Sequence, residues 1–431
     1  MTSTQDDHKS IRDEQPDALR DAKKRWREEE IAHYKAGRYE ESLAAITELI
    51  RLDPTDARSY DSQGMTLSRL QRYDEALFAY QKAIELNPTD QDVYYNLGSL
   101  FDDLHRPAEA LRAYEQAILL DPTDAVAYYN LGNARCDLDQ YLEALSAYEQ
   151  AAQCDATYAP AYVGKGYALS ALGRHEEALV AYEQALHFVP NDAEVYADTG
   201  DCLSALGRYA EALATFEQAL RLDPTCIKAL CNQGCTLAEL ERHEEALAAY
   251  EQALRLNPND WEITFNKGNS LLRLRRYEEA VRAYDVVLRL NPEAADAYHW
   301  KGEALSNLKR YEEALAAYEQ AIHLDPNYAR AYNSKGNALS NLKRYEEALA
   351  AYEQAIRLDP NYAYAYYNKG SSLSNLKRHE EALTAYEQAI RLDPNYAFAY
   401  NNKGNTLKAL KRHEEAKLAF EKASQLGFRS Y

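Results

Sequence analysis

Cys226, Cys231 and Cys235 are the side chains whose type and spacing come nearest to a metal site. Cys231 and Cys235 are four residues apart, which on a helix sets both thiols on one face. Structural zinc sites are built from tight pairs such as C-x2-C with further Cys or His at set distances. The spacing here matches none of them, so the three read as small helix residues, and no metal or cofactor is expected. His175, His243, His379 and His413 are a second possible source of chemistry. They lie multiples of 34 residues apart and stand where the chain elsewhere has Tyr39, Tyr73, Tyr209 or Tyr345, so they replace a structural aromatic. Phosphate-cradling loops, nucleophile elbows and zinc-protease helices are absent from the sequence. No long irregular insertion offers a catalytic site a place, and the chain is read as not an enzyme.

The elements that position these residues are set by a strict period. Prolines fall at Pro54, Pro88 and Pro122, then from Pro190 to Pro394, in steps of 34 residues or twice that where Ala156 intervenes. Glycines from Gly64 to Gly404 keep the same step. With proline as position 32 of a unit and glycine as position 8, units begin at Lys23, Ala57, Gln91 and so on to Ala397. Twelve such units span residues 23–430 without insertion or deletion, after a polar segment, residues 1–22, expected to be partly disordered and then helical.

Within a unit, Tyr332, Gly336 and Leu339 are spaced as one stripe of a helix, and so are Ala348, Tyr352 and Ala355. The polar stretch from Asn341 to Arg344 is short, so the two helices fold back antiparallel. Asp359, Pro360 and Asn361 end the second helix and open the next unit. Glycine inside a helix costs about 1 kcal/mol against alanine. Its recurrence implies a close helix–helix approach, expected opposite the small Ala at position 20. A single hairpin cannot bury its apolar stripe, so stacking must supply the core.

The spacing of Trp or Tyr, Leu, Gly, Tyr, Ala, Phe, Ala and Pro resembles the tetratricopeptide repeat over nearly the whole chain. The resemblance implies an all-α fold, a right-handed α-solenoid of antiparallel helix hairpins. The end units depart from the pattern. Trp26 keeps position 4 of the first unit, but Glu30 replaces Gly and Ser42 replaces Ala, and Pro16 is read as the first residue of a longer opening helix. In the last unit Lys417 and Ser424 replace apolar residues on one helical face, which reads as a polar cap.

In this family the first helix of each unit lines a concave groove, and the resemblance assigns positions 2, 5, 6, 9, 12 and 13 to it. Position 6 carries Asn96, Asn130, Asn232, Asn266, Asn368 and Asn402, and position 9 carries Asn133, Asn269, Asn337 and Asn405. Position 5 adds Tyr95, Tyr129, Phe265 and Tyr367. Asn is a mediocre helix former, and its amide can pair with a peptide backbone without reading sequence. The pattern looks like the asparagine ladder of O-linked N-acetylglucosamine transferase and kinesin light chain arrays. Lateral bonding between repeats, or inheritance by duplication, would place the same residues there.

The clamp for acidic C-terminal tails needs Lys at position 5 and Arg at position 6; neither occurs, and Lys228 and Arg330 lack companions, so acidic chaperone tails are not expected partners. Across the six positions acids such as Asp61, Asp102, Asp201 and Glu303 outnumber bases, and the last three units carry no acid there. The net charge of -20, from 49 basic and 69 acidic residues, argues against nucleic acid. No apolar run approaches a membrane span, and Met1 to Asp7 lack the apolar core of a secretory signal. Six cysteines without a framework read as free thiols, so a cytoplasmic location without membrane contact is expected. The reading is a non-catalytic protein-interaction scaffold that holds an extended, neutral-to-basic peptide. The alternatives are an assembly solenoid, or the regulatory arm of an enzyme complex whose catalytic part is another chain.

Overall fold

The computed structural model describes residues 7–428, and among these are twenty-four α-helices and no strand. They form consecutive antiparallel pairs, such as Ala329–Asn341 with Tyr345–Leu358 and Ala363–Asn375 with His379–Leu392. Contacts divide the chain into two compact bodies, Met1–Leu222 and Asp223–Tyr431, each with six pairs. Within each body the apolar stripe of one pair packs on the next, so the core is a continuous row of side chains.

Each hairpin turns the same way. After Asn341 the chain passes through Lys343 in the left-handed region, φ 60°. Arg344 N–H then donates to Leu339 O at 2.9 Å, and Lys343 N–H to Ser340 O at 3.0 Å. This pair of bonds satisfies the last carbonyls of the helix, as a Schellman closure does. Gly173 and Gly207 occupy the same place at φ 73° and 72°, where no Cβ is strained. The second helix stops when Asp359 N–H bonds Ala355 O at 2.9 Å. The Asp359 carboxylate meanwhile accepts from Asn361 N–H at 3.0 Å, fixing the turn around Pro360.

The largest fully buried side chains are the aromatics at position 24, among them Tyr80, Tyr148, Phe216, Tyr352 and Tyr386. The position 8 glycines face these rings and not the alanines at position 20, as the spacing had suggested. A Cβ placed on Gly370 would lie 2.7 Å from Cε1 of Tyr386, inside van der Waals contact. Both stripes point into the same interface, and the long Tyr side chain reaches across it while the short Ala does not.

Ion pairs stitch the outer surface. Arg344 binds Glu347 within its own repeat at 2.7 Å and Glu312 of the preceding repeat at 3.7 Å. Glu353 pairs with Lys369 of the next repeat at 2.8 Å. Arg357 lies four residues from Glu353 on the same helix, but Lys369 sits on the neighbouring first helix, where a salt bridge also joins two repeats.

The opening helix runs Asp7–Lys35 and so begins well before Pro16. Helix-favouring Lys9, Arg12, Glu14 and Gln15 precede the proline, and the helix crosses it at the loss of one backbone bond. The disorder expected near the N-terminus falls on residues 1–6, outside the described residues. Glu30 and Ser42 are buried, and Ser42 Oγ donates to Glu30 O at 3.2 Å. Arg27 donates to Asp56 at 2.7 Å and Ser59 Oγ at 2.8 Å, so a polar clamp holds this degenerate repeat to its neighbour. Lys417 and Ser424 are both exposed on the last helix, His413–Gln425.

Candidate functional site

Every asparagine and aromatic singled out above lies on the first helix of its pair, and most are half-buried; Asn405 is exposed. The structure sorts them into two hydrogen-bonding roles. At position 6 four of the six amide nitrogens donate sideways to position 5 of the preceding repeat. Asn96 donates to Asp61 at 3.0 Å, Asn130 to the Tyr95 hydroxyl at 3.0 Å, and Asn368 to Asn333 Oδ1 at 3.0 Å. Asn402 donates to the Tyr367 hydroxyl at 3.1 Å, and Asn266 meets Cys235 Sγ at 3.6 Å. Asn232 offers its backbone carbonyl to the Thr236 hydroxyl at 2.8 Å.

At position 9 three of the four amide oxygens accept from the buried tyrosine of the same repeat; the last repeat has Phe420 in that place, which offers Asn405 no hydroxyl. Tyr148 donates to Asn133 and Tyr284 to Asn269 at 2.8 Å, and Tyr352 to Asn337 at 2.9 Å. Burial raises the hydroxyl pKa of all three tyrosines, so they remain donors. An amide has more than one bond to offer. Asn96, Asn130 and Asn368 keep the carbonyl and position 9 keeps its amine beyond the bonds just described, while Asn402 Oδ1 already accepts from Asn401 at 3.4 Å.

The position 5 rings are also engaged by the array. Tyr95 packs on Tyr114 and Tyr129 on Tyr148, each with centroids 5.8 Å apart. Phe265 lies 5.9 Å from Tyr284, and Tyr367 lies 6.0 Å from Tyr386. Their faces support the core, while the Tyr95 and Tyr367 oxygens accept the asparagine bonds. Accepting such a bond leaves each O–H as a donor.

The cysteines are not gathered for a metal. Burial pushes the Cys231 thiol up to about 12, so it stays a thiol at neutral pH. Cys235 is within 3.5 Å of the Tyr250 hydroxyl. Among the described residues no group of three or more His, Cys, Asp or Glu side chains could hold an ion. A cavity of about 420 Å³ lies beside this repeat, lined by Cys235, Glu239, His243, Asn266, Asn269, Arg273 and Trp300 among others. In the first body a cavity of about 350 Å³ is lined by Tyr34, Arg69, Asn96 and Asp103.

Three features were missed in the sequence. The first is His299, buried at position 5, where its departure from the position 17 histidines was the available signal. Its Nε2 lies 3.4 Å from Ser334 Oγ and 3.8 Å from Glu303, and Ser334 donates to Glu303 at 2.6 Å. A nucleophilic triad needs the imidazole between hydroxyl and carboxylate, one on each nitrogen. Here both sit at Nε2, Nδ1 has no partner, and burial lowers the imidazole pKa. The cluster is a packed polar core and not a charge relay.

The second feature is an exchange at the cap of the first helix. Asp124, Asp192 and Asp260 accept backbone N–H bonds there. Tyr158, Tyr328, Tyr362 and Tyr396 occupy the same position and make no side-chain cap. Three of them pack instead, edge-on or tilted, against position 5 of the preceding first helix: Tyr158 on Tyr129 at 5.7 Å, Tyr328 on His299 at 5.1 Å, and Tyr396 on Tyr367 at 4.9 Å. The third feature is the pair Tyr364 and Phe398 at position 2, each 59 % exposed.

Among the described residues no helix is long and apolar enough to cross a membrane. Tetratricopeptide repeat models match residues 231–295, 265–329, 301–363 and 333–397, and further such models match 169–230, 92–124, 113–146 and 385–417. A TPR repeat model matches residues 64–103. No curated protein matches the chain significantly. Similar solved structures include MamA protein, at 28 % identity over 39 % of this chain and 92 % of that one, with a TM-score of 0.38. YrrB, a TPR protein with an unusual peptide-binding site, is 27 % identical over 46 % of this chain and 97 % of its own, with a TM-score of 0.38. Yeast Tom70 is 16 % identical over 86 % of this chain and 92 % of its own, with a TM-score of 0.42. With its paired helices and repeat models placed along both bodies, the chain belongs to the tetratricopeptide repeat family.

Proposed function

We propose that the chain is a non-catalytic, cytoplasmic scaffold whose first-helix face holds an extended, neutral-to-basic segment of another protein. Arrays of this kind are typical of protein–protein interaction scaffolds. One observation carries the finer reading: asparagine amides with bonding capacity to spare recur at the same helix positions in several repeats, at Asn130 and Asn133 in the first body and at Asn269, Asn337 and Asn402 in the second, with tyrosine O–H groups beside them. An extended peptide exposes its own N–H and C=O groups at regular intervals, so such a row can hold its backbone whatever its side chains. Asp102, Asp201 and Glu262 on the same helices favour a basic over an acidic segment, and acidic chaperone tails would be repelled. Nucleic acid and anionic membrane surfaces are disfavoured by the same charge.

The lateral bonds favour a second reading, in which the asparagines serve only to join repeats. A displayed library of random dodecapeptides, panned at low salt on the purified chain, separates the two. Enrichment of neutral and basic sequences that is lost in an Asn133→Ala, Asn269→Ala, Asn337→Ala variant supports the groove. Enrichment of acidic peptides, or none at all, overturns it.

A further inference from the structure

We propose that the face formed by the helices Ala363–Asn375 and Ala397–Ala409 is a docking site for a proline-rich segment in the polyproline II conformation. The proposal rests on the peptide-binding reading above and names the chemistry of one subsite.

Exposed large aromatics are unusual on the first helices, where position 2 otherwise carries residues such as Arg58, Asp92, Glu194, Lys228 and Glu262. In two successive repeats it carries Tyr364 and Phe398 instead, each more than half exposed. Each is backed by a second ring: Tyr364 by Tyr396, with centroids 5.1 Å apart at 60°, and Phe398 by Phe428, 5.4 Å apart at 85°. Two inclined rings make a shallow cleft open to solvent, and the cleft recurs in the next repeat.

Charge and spacing select the occupant. The stretches Asn361–Asn368 and Asn395–Asn402 contain no Asp, Glu, Lys or Arg in a chain of net charge -20. An uncharged ring laid on these aromatics gives up little hydration, whereas a charged group must shed its water to lie there. The acids Asp359 and Asp393, at the loops before these helices, further oppose an acidic ligand. Neighbouring helices pack about 8–10 Å apart. A polyproline II chain rises about 3.1 Å per residue with three residues per turn, so every third residue recurs at about 9 Å on one face. A Pro-X-X-Pro segment therefore sets one ring over each cleft. Its backbone makes no internal hydrogen bonds and presents carbonyls that need donors. Tyr367, whose oxygen already accepts from Asn402, offers its O–H beside Tyr396. Stiff polyproline II ligands also lose little entropy on docking against aromatic grooves.

The test uses the full chain and fluorescent dodecamers of proline, of lysine and of glycine–serine, with anisotropy read at physiological salt. Saturable binding of the proline dodecamer is expected, at least tenfold tighter than the other two. Tyr364→Ala and Phe398→Ala should each weaken it five- to tenfold, and the double variant should abolish it. Phe78→Ala, an exposed aromatic on a second helix of the first body, should change nothing, and circular dichroism confirms that all variants fold. Equal affinity in the double variant, or tighter binding of the lysine dodecamer, overturns the proposal. Library peptides that bind while the proline dodecamer does not sink this subsite alone. A chain that binds neither sinks the groove reading as well.

Discussion

The side-chain amide of Asn402 donates to the hydroxyl of Tyr367, 35 residues earlier, at 3.1 Å, and so joins two neighbouring repeats. The same relation links Asn130 to Tyr95. Such a bond contributes about 0.5–1.5 kcal/mol net, and breaking it strands a half-buried amide. Tyr367→Phe should therefore lower stability by about 1 kcal/mol, read as a shifted urea midpoint. A double-mutant cycle with Asn402→Ala should give a coupling of about 0.5–1.5 kcal/mol. Additive effects would show that the bond is not made in solution.

Gly370→Ala tests the close approach of the position 8 glycines. Alanine improves helix propensity by about 1 kcal/mol, yet its Cβ would press on the buried Tyr386 ring. Overpacking costs typically about 1–3 kcal/mol, so a net loss is expected, with amide protons of this repeat exchanging faster. A gain in stability would mean that the ring moves aside freely.

Arg27 is the clamp of the first repeat, held by Glu30, Asp56 and Ser59. Replacing it with Met leaves the buried Glu30 carboxylate unpartnered by the guanidinium. Stability of the opening hairpin should fall by about 3 kcal/mol, the order seen when one member of a buried ion pair is removed. Proteolysis near Arg38 should accelerate while the second body stays protected. Unchanged cleavage would remove Arg27 from this role.

Asp61 provides a pH-dependent test. Burial pushes its carboxyl from 3.8 to about 6, with Asp90 and Asp92 adding to the rise and the Asn96 bond opposing it. The folded chain thus keeps this proton to higher pH than the unfolded chain. The charge therefore subtracts stability progressively above pH 4 and fully above pH 6. Asn333 holds the equivalent place opposite Asn368, which shows that an amide fits. Asp61→Asn should stabilise by on the order of 2 kcal/mol at pH 7 and by almost nothing at pH 4. The same gain at both values would rule out the charge as its cause.

The period, the helix pairs and the family were all legible in the chain, because a repeat of fixed length imposes its own register. Pro360, Gly336 and the stripe through Tyr332 and Leu339 mark helix ends and buried faces by local rules alone. The asparagine rows were legible as rows, but their partners were not. A spacing of 34 residues places Asn402 near the preceding repeat, but only packing chooses position 5 as its neighbour and turns Tyr367 into an acceptor. The same holds for Gly370, which meets the long Tyr386 ring and not an alanine, and for Glu353, which pairs with Lys369 and not Arg357. Sequence fixes which side chains share one helix face, because the helical period is local. Tertiary structure decides which of them meet across repeats, because those distances depend on how far one hairpin is displaced and rotated against the next. Tyr364 and Phe398 show that division most plainly. In the sequence they are two aromatics among many, and the fold leaves both exposed on first helices of successive repeats, with a second ring against each.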